Sequence, residues 1–362
     1  MSECSLKPVW EVKLEVRYVG LDIGKWKCRA AIMNQDGQIL DEFTFTNDQE
    51  GIQNLTSKLT LEDQVVMEST GSVWTNLYDR LDDKQIHVSL ANPLKTKAIA
   101  SAKIKSDKVD ARILAHLLRS NLIAESYVPG KPLREIRALI RHRVAIVKIR
   151  TMVKNQIHAI VDKHGLSCSY SDMFGKGGME WLRDLELPSL DRLILDNHLT
   201  HLESLNQQTG RVDEEVHSKA CEDEDVRLLL SLTGVDVYTA LLIRSEIGSI
   251  DRFQDYKKLV SWAGLAPSLH QSGNVEYHGS ITKQGSKMLR WIMVEAARVS
   301  VNHDPRMRSF YERVKHRRGS QKAIVAVANK MLKITWFMLT RREPYESRNE
   351  KRYQQKLNSV TA

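Results

Sequence analysis

Apolar and polar positions alternate along residues 17–46 with the period of strands. "RYVGLDIG" and "KCRAAIMN" read as two strands, "QDGQ" as a turn built on Asp-Gly, and "ILDEFTFTN" as a third strand. A helical patch over about 49–59 follows, then a strand in "QVVMEST", a helix in "GSVWTNLYDRLDD" and a strand in "IHVSLAN". Two helices, over about 93–103 and 107–120, close the block. A three-strand meander continued by alternating helices and strands is an α/β layer. "SYVPGKPL", with two prolines and a glycine, marks a boundary after it.

The period then changes. From Arg134 to His164 the pattern predicts one long helix, with Ile136, Leu139, Ile140, Val144, Val147, Val153, Ile157 and Ile160 at helical spacing. A Gly/Ser-rich interruption, "HGLSCSYSDMFGKGG", separates it from a second long helix over about 190–220. "LLLSLTGVDVYTALLIRSEIGSIDRF" reads as helix, tight turn, helix, in the manner of a helix-hairpin-helix. The turn amides of that motif hold a DNA phosphate, but Asp236 stands where its second glycine is expected. "GLAPSLHQSGNVEYHGSITKQGSKMLRWIMVEAA" reads as a polar loop running into a helix, and the tail "RREPYESRNEKRYQQKLNSVTA" as frayed.

Charge sharpens this outline. Lys and Arg exceed Asp and Glu by 54 − 45 = +9, which favours a phosphate-bearing partner. The first long helix carries eight Lys/Arg against Glu135 and Asp162, whereas Asp191 to Asp225 holds ten acids against Arg192, Arg211 and Lys219. Two antiparallel helices attracting each other, as in a coiled coil, explain the split, and the basic helix can also touch nucleic acid. Four scattered cysteines, Cys4, Cys28, Cys168 and Cys221, make no CxxC pair and fit a reducing cytoplasm. The N-terminus lacks the apolar run of a signal peptide, and Lys330 and Lys333 interrupt "AIVAVANKMLKITWFML", so no membrane is expected.

The candidate chemistry is acidic. Asp22 lies within an apolar strand, where a carboxylate is costly unless a metal or a hydrogen bond compensates it. Glu68 ends a second apolar strand, and Asp107 and Asp110 share one face of a helix at i, i+3. If the two strands are neighbours, four carboxylates converge at one edge of the sheet, the ligand set that phosphoryl transfer by hard cations needs. Asp107 taken alone reads as a helix cap. "GLDIGKWKCRAAIMNQDGQIL" also looks like the first phosphate loop of the sugar kinase and actin superfamily. That fold repeats its meander in a second domain, and nothing after residue 130 supplies one.

"GLDIG", "MESTG" and "KSDKVDARILAHLL", then a basic helix and "GLAPSLHQSGNVEYHGSITKQGSKMLR", resemble the DEDD transposases of the bacterial insertion-sequence family one-ten. These are also called bridge-RNA-guided recombinases, and the likeness runs from residue 17 to about 340. The resemblance implies an N-terminal extension (1–16), a RuvC-like, ribonuclease-H-like α/β domain (17–128), a helical coiled-coil region (129–225), a mainly α-helical transposase domain (226–342) and a tail (343–362). It implies that Asp22, Glu68, Asp107 and Asp110 bind Mg²⁺, with Mn²⁺ as a substitute, and that Ser272 in "HQSGN" is the nucleophile. Ser268, Ser280 and Ser286 share that region and, without the resemblance, read equally as loop serines. Glu276, Tyr277 and His278 beside Ser272 are more acidic and aromatic than a phosphate-facing loop calls for.

The partners implied are donor and target DNA and an element-encoded bridge RNA, handled by a homodimer or homotetramer in the bacterial cytoplasm at the nucleoid. Lys103, Lys105, Lys108, Arg141, Lys148, Lys154, Lys283 and Arg290 are the expected nucleic-acid contacts. A junction-resolving endonuclease using the same carboxylates and water, and a non-catalytic nucleic-acid scaffold, are the alternative readings.

Overall fold

A computed structural model describes residues 16–68, 71–99, 107–272, 275–346 and 348–361, with side chains except those of residues 107–108 and 269–278. The chain divides into two compact units between Val128 and Pro129.

The first unit is built on a five-stranded sheet of order β3-β2-β1-β4-β5. Its strands are β1 (Tyr18–Ile23), β2 (Lys27–Met33), β3 (Ile39–Thr46), β4 (Gln64–Glu68) and β5 (His87–Ala91). β1, β2 and β3 pair antiparallel as the meander requires, while β4 and β5 join β1 in parallel. Helices α1 (Gln49–Ser57) and α2 (Trp74–Asp83) supply the connections. They bury Ile52, Leu55, Leu77 and Leu81 against Val19, Leu21, Val65 and Met67 on one face. α3 (Pro93–Ile99) ends where the described residues stop, so the helix expected over 93–103 is seen only in its first part. α4 (Asp107–Arg119) covers the opposite face, where Leu114 meets Val66 and Ala91.

The second unit is mostly helical. α5 (Lys131–Lys163) and α7 (Ser189–Cys221) are the two long helices, with the short α6 (Lys176–Asp184) between them. Their partners set the direction: Arg143 bonds Asp213, Arg150 reaches Asn206, and Lys163 and His164 both meet Asp191. Rising numbers on one helix match falling numbers on the other, so the pair is antiparallel. Leu195, Leu199, Leu202 and Leu205 fill the seam against Ile146, Val153, Ile157 and Val161. α6 starts at the end of the stretch read as a Gly/Ser-rich interruption, residues 164–178, and runs past it. Arg192 of α7 fixes its end by donating to the carbonyls of Leu182 and Leu185 at 3.0 and 3.2 Å.

α8 (Glu224–Leu229), α9 (Val237–Ile247), α10 (Tyr256–Trp262), α11 (Lys287–His303), α12 (Pro305–Arg318) and α13 (Ser320–Arg341) form the remaining core. Asp223, Asp236, Asp255, Ser286 and Asp304 cap α8, α9, α10, α11 and α12 with side-chain hydrogen bonds. α13 is long and apolar enough to cross a membrane by length and composition, and packing accounts for it here: Ala323, Val327, Ala328, Met331, Leu332 and Met338 are core residues.

Two expectations are corrected. Residues 267–281, read as a polar loop, form an antiparallel ribbon of β6 (Pro267–Ser272) and β7 (Val275–Ile281). Main-chain pairing holds it, so its polar composition did not announce strands. The tail, read as frayed, contains α14 (Glu350–Thr361). Val360 enters the core, Tyr345 donates to Asp304 at 2.9 Å, and Lys356 donates to the carbonyls of Leu230 and Val235 at 3.2 and 2.6 Å. Those sparse anchors, not a continuous apolar stripe, hold the tail.

Candidate active site

Alternation along β1 sends Val19, Leu21 and Ile23 into one core and turns Gly20 and Asp22 to the opposite face. Leu21 pairs in parallel with Met67, so Asp22 and Glu68 are the next residues on neighbouring strands. The strand adjacency that the acidic constellation requires is therefore present. Both side chains are half-buried. The negative charge of Asp22 reaches Cys28, whose thiol pKa is raised first by burial and further by that charge.

α4 lies on the same face at very close range. A Cβ on Gly20 would run into the carbonyl oxygen of Ala111 and sit 2.6 Å from the amide nitrogen of Ala115. Only glycine permits that backbone approach. The helix direction follows from its side chains. Arg112 bonds Glu42, which pairs with Ala31 and through it lies level with Gly20. Arg119 reaches the carbonyl of Gln35 at 3.2 Å, beyond Met33, the partner of Tyr18 at the start of β1. α4 thus runs antiparallel to β1, and its first turn, Asp107–Asp110, lies toward the carboxyl ends of β1 and β4. Asp110 is half-buried there, while Asp107 contributes a described backbone only.

Three half-buried carboxylates of the hard-oxygen class that Mg²⁺ takes therefore stand on elements meeting at one edge. Among the described residues, no three His, Cys, Asp or Glu side chains are gathered closely enough to hold a metal ion. The side chain of Asp107, the fourth member, lies outside that description.

Ser272 belongs to the second unit. It is the last residue of β6 and pairs with Val275 across the turn of the ribbon. The other serines of the region have different settings. Ser286 caps α11, accepting from the Leu289 amide at 3.0 Å while its hydroxyl donates to Glu246 at 2.8 Å. Ser268 lies over Gly279, where a Cβ would strike its hydroxyl, and Ser280 is exposed.

The expected nucleic-acid contacts divide. Lys103 and Lys105 lie outside the described residues, as does the side chain of Lys108. Arg141 donates to Glu246 at 3.0 Å, and Arg290 to the Ala263 carbonyl at 3.0 Å, so both carry internal contacts. Lys154 sits 4.4 Å from the Phe174 ring centre. Lys148 and Lys283 are exposed, the latter with a left-handed backbone at φ +55°.

Sequence reasoning missed Glu246. It is 4 % exposed and receives Arg141 and Ser286, while Arg137 donates to the backbone carbonyls of Ser245 and Glu246 at 2.5 and 2.7 Å. The network ties α5 to the segment between β7 and α11. A single acid in the apolar "YTALLIRSEIG" was the available signal, the same one that drew attention to Asp22.

The DEDD transposase family of IS110 matches residues 19–165, and the IS116/IS110/IS902 transposase family matches residues 226–312. The chain belongs to the IS110 family of insertion-sequence transposases. It is similar to the transposase for insertion sequence element IS1111A of Coxiella burnetii, 27% identical over 91% of this chain and 92% of the relative. A pilin gene-inverting protein of Moraxella bovis is 27% identical over 91% of this chain and 98% of its own length. The transposase for insertion sequence element IS1328 of Yersinia enterocolitica is 28% identical over 56% and 62%.

Proposed function

We propose that the protein cleaves and rejoins DNA strands through a phosphoserine intermediate at Ser272, with Mg²⁺ held by Asp22, Glu68, Asp107 and Asp110. The observation that carries this reading is the delivery of the first turn of α4 to the carboxyl ends of β1 and β4. The sheet order β3-β2-β1-β4-β5, with three antiparallel and two further parallel strands, supports a ribonuclease-H-like, RuvC-like fold for the first unit.

In this reaction the Ser272 hydroxyl attacks a strand phosphate. A serine–phosphorus ester forms, the phosphodiester bond to the neighbouring nucleoside breaks, and the departing sugar oxygen takes a proton. Attack by another strand's hydroxyl reverses the chemistry and releases Ser272, so no external energy source is needed. A bound divalent cation would neutralise charge on the phosphate oxygens. The carboxylates hold that cation, and Lys283 positions flanking phosphates. Donor and target DNA are the substrates, and an element-encoded bridge RNA selects them. A homodimer or homotetramer supplies the acidic edge of one subunit and the serine ribbon of another. The setting is the bacterial cytoplasm.

A suicide DNA substrate with Mg²⁺ and the cognate RNA is expected to trap a covalent protein–DNA adduct that Ser272→Ala abolishes. Asp22→Asn is expected to stop adduct formation while leaving the fold intact. Cleavage without an adduct would assign a water nucleophile, and unchanged cleavage by Asp22→Asn would remove the metal site.

A further inference from the structure

Thirty residues carry an excess of positive charge equal to the net charge of the whole protein. Arg313 to Arg342 holds nine Lys/Arg and no Asp or Glu, so the rest of the chain balances at 45 of each sign. Within that stretch the later cations are engaged. Lys330 lies 4.7 Å from the Phe310 ring centre, Lys333 lies 4.3 Å from that of Tyr256, Arg341 stacks on Phe337, and Arg342 pairs with Asp225. The corner between α12 and α13 differs. Every residue from Lys315 to Lys322, "KHRRGSQK", is exposed. Lys315 meets Glu312 at 3.3 Å and Arg317 reaches only the Arg313 carbonyl at 3.4 Å. His316, Arg318 and Lys322 have no partner among the described residues.

The ordinary role for such a run is to complement the negative end of a helix, and the last turn of α12 has that use for its four basic residues. It does not account for Lys322. The positive end of α13 begins just after Gly319, with Lys322 in its first turn and no acidic residue there. Like charges are thus gathered where the backbone adds to the field. Beside the corner, Arg298, Arg308, Glu312, Ser320 and Gln321 line a cavity of about 400 Å³; Arg298 faces Glu295 at 3.8 Å and Arg308 donates to the carbonyls of Val301 and Asn302 at 3.2 and 2.5 Å, so the free charge stays on the corner itself.

We infer that the α12–α13 corner is a docking surface for the phosphate backbone of duplex DNA, with Arg317, Arg318 and Lys322 as its principal contacts. Phe, Tyr and Trp are absent from residues 312–335, and Tyr311, which lines the neighbouring cavity, is half-buried with Lys315 5.5 Å from its ring centre, so the exposed turn offers His316 as its one ring for stacking unpaired bases. It offers point charges spaced along an exposed turn, which suits a regular backbone read without sequence. The inference rests on the proposed function, since it presumes that the protein handles DNA, and it adds a site remote in sequence from the acidic edge and Ser272.

The test uses the full chain with two probes, a duplex of arbitrary sequence and a structured RNA hairpin, each titrated across a salt series. The triple variant Arg317→Gln, Arg318→Gln, Lys322→Gln is expected to lose about tenfold or more in duplex affinity at moderate salt. Its salt slope is expected to fall by about 2 to 3, close to one per lost phosphate contact. Its melting temperature should stay near that of the wild type. Arg318→Glu alone, on a solvated side chain, should move duplex binding in the same direction by less. Unchanged duplex affinity and slope in the variants overturns the inference alone. A loss confined to the RNA probe also overturns it, assigning the corner to RNA. Absence of any salt-dependent duplex binding by the wild-type protein overturns both the inference and the proposed function.

Discussion

α5 and the α12–α13 corner are both strongly basic, yet the structure treats them in opposite ways. Of the nine Lys/Arg on α5, Arg137, Arg141, Arg143, Arg150 and Lys163 bond to α7 or to the α9 segment, Arg134 to the Pro129 carbonyl, and Lys154 lies over Phe174. Lys131, at the first residue of the helix, and Lys148 have no partner among the described residues. The corner has Glu312 as its nearby carboxylate, and His316, Arg318 and Lys322 face solvent. A run of positive charge therefore announces a polyanion only after its own counter-charges have been counted, and those arrive from distant segments. Asp191 and Asp213 pair with Lys163 and Arg143, and Glu246 pairs with Arg141, whereas among the described residues Glu312 is the one carboxylate that meets a cation of the corner.

Three measurements can break or sharpen that contrast. The largest effect is expected at Glu246, where Glu246→Ala removes the shared acceptor of Arg141 and Ser286. Since charge-assisted hydrogen bonds contribute about 1.5–3 kcal/mol, a loss of about 2 kcal/mol in denaturant unfolding is expected, with Glu246→Gln losing less. No loss would mean that the α5 cations are not held by the fold. A smaller effect is expected across the long helices. A double-mutant cycle on Arg143 and Asp213 should return a coupling of about 0.5–1 kcal/mol, as for a half-exposed pair. Nucleic-acid affinity should be unaffected by it, and a loss of DNA binding in Arg143→Gln would move α5 into the binding surface. The smallest effect belongs to the stability of the corner, where the triple glutamine variant should unfold within about 0.5 kcal/mol of the wild type. A marked destabilisation would give those cations a structural role after all.

The same distinction explains what could be read in advance. The β1–β3 meander, the two long helices and the helical course of α4 follow from local periodicity, so they were visible in the order of residues. The pairing of Asp22 with Glu68 depends on β4 lying beside β1, and the approach of Asp110 depends on α4 running antiparallel. Neither relation is carried by spacing. The β6–β7 ribbon was hidden because "PSLHQS" lacks a continuous apolar face, and α14 because Tyr353, Leu357 and Val360 are too sparse to show a stripe. Glu246 and Asp22 were detectable by one criterion, an acid inside an apolar run. That criterion finds structural acids and candidate ligands alike and cannot sort them.

The crossing of α4 over β1 at Gly20 leaves no room for a methyl group. The separation between the first turn of α4 and the strand ends is consequently set by two main chains in contact, not by the side chains packed around them. Core substitutions elsewhere in the unit can be absorbed by rotamer changes without altering that separation. Sequence can therefore drift widely through the unit while the acidic edge keeps its dimensions, so long as position 20 carries no side chain.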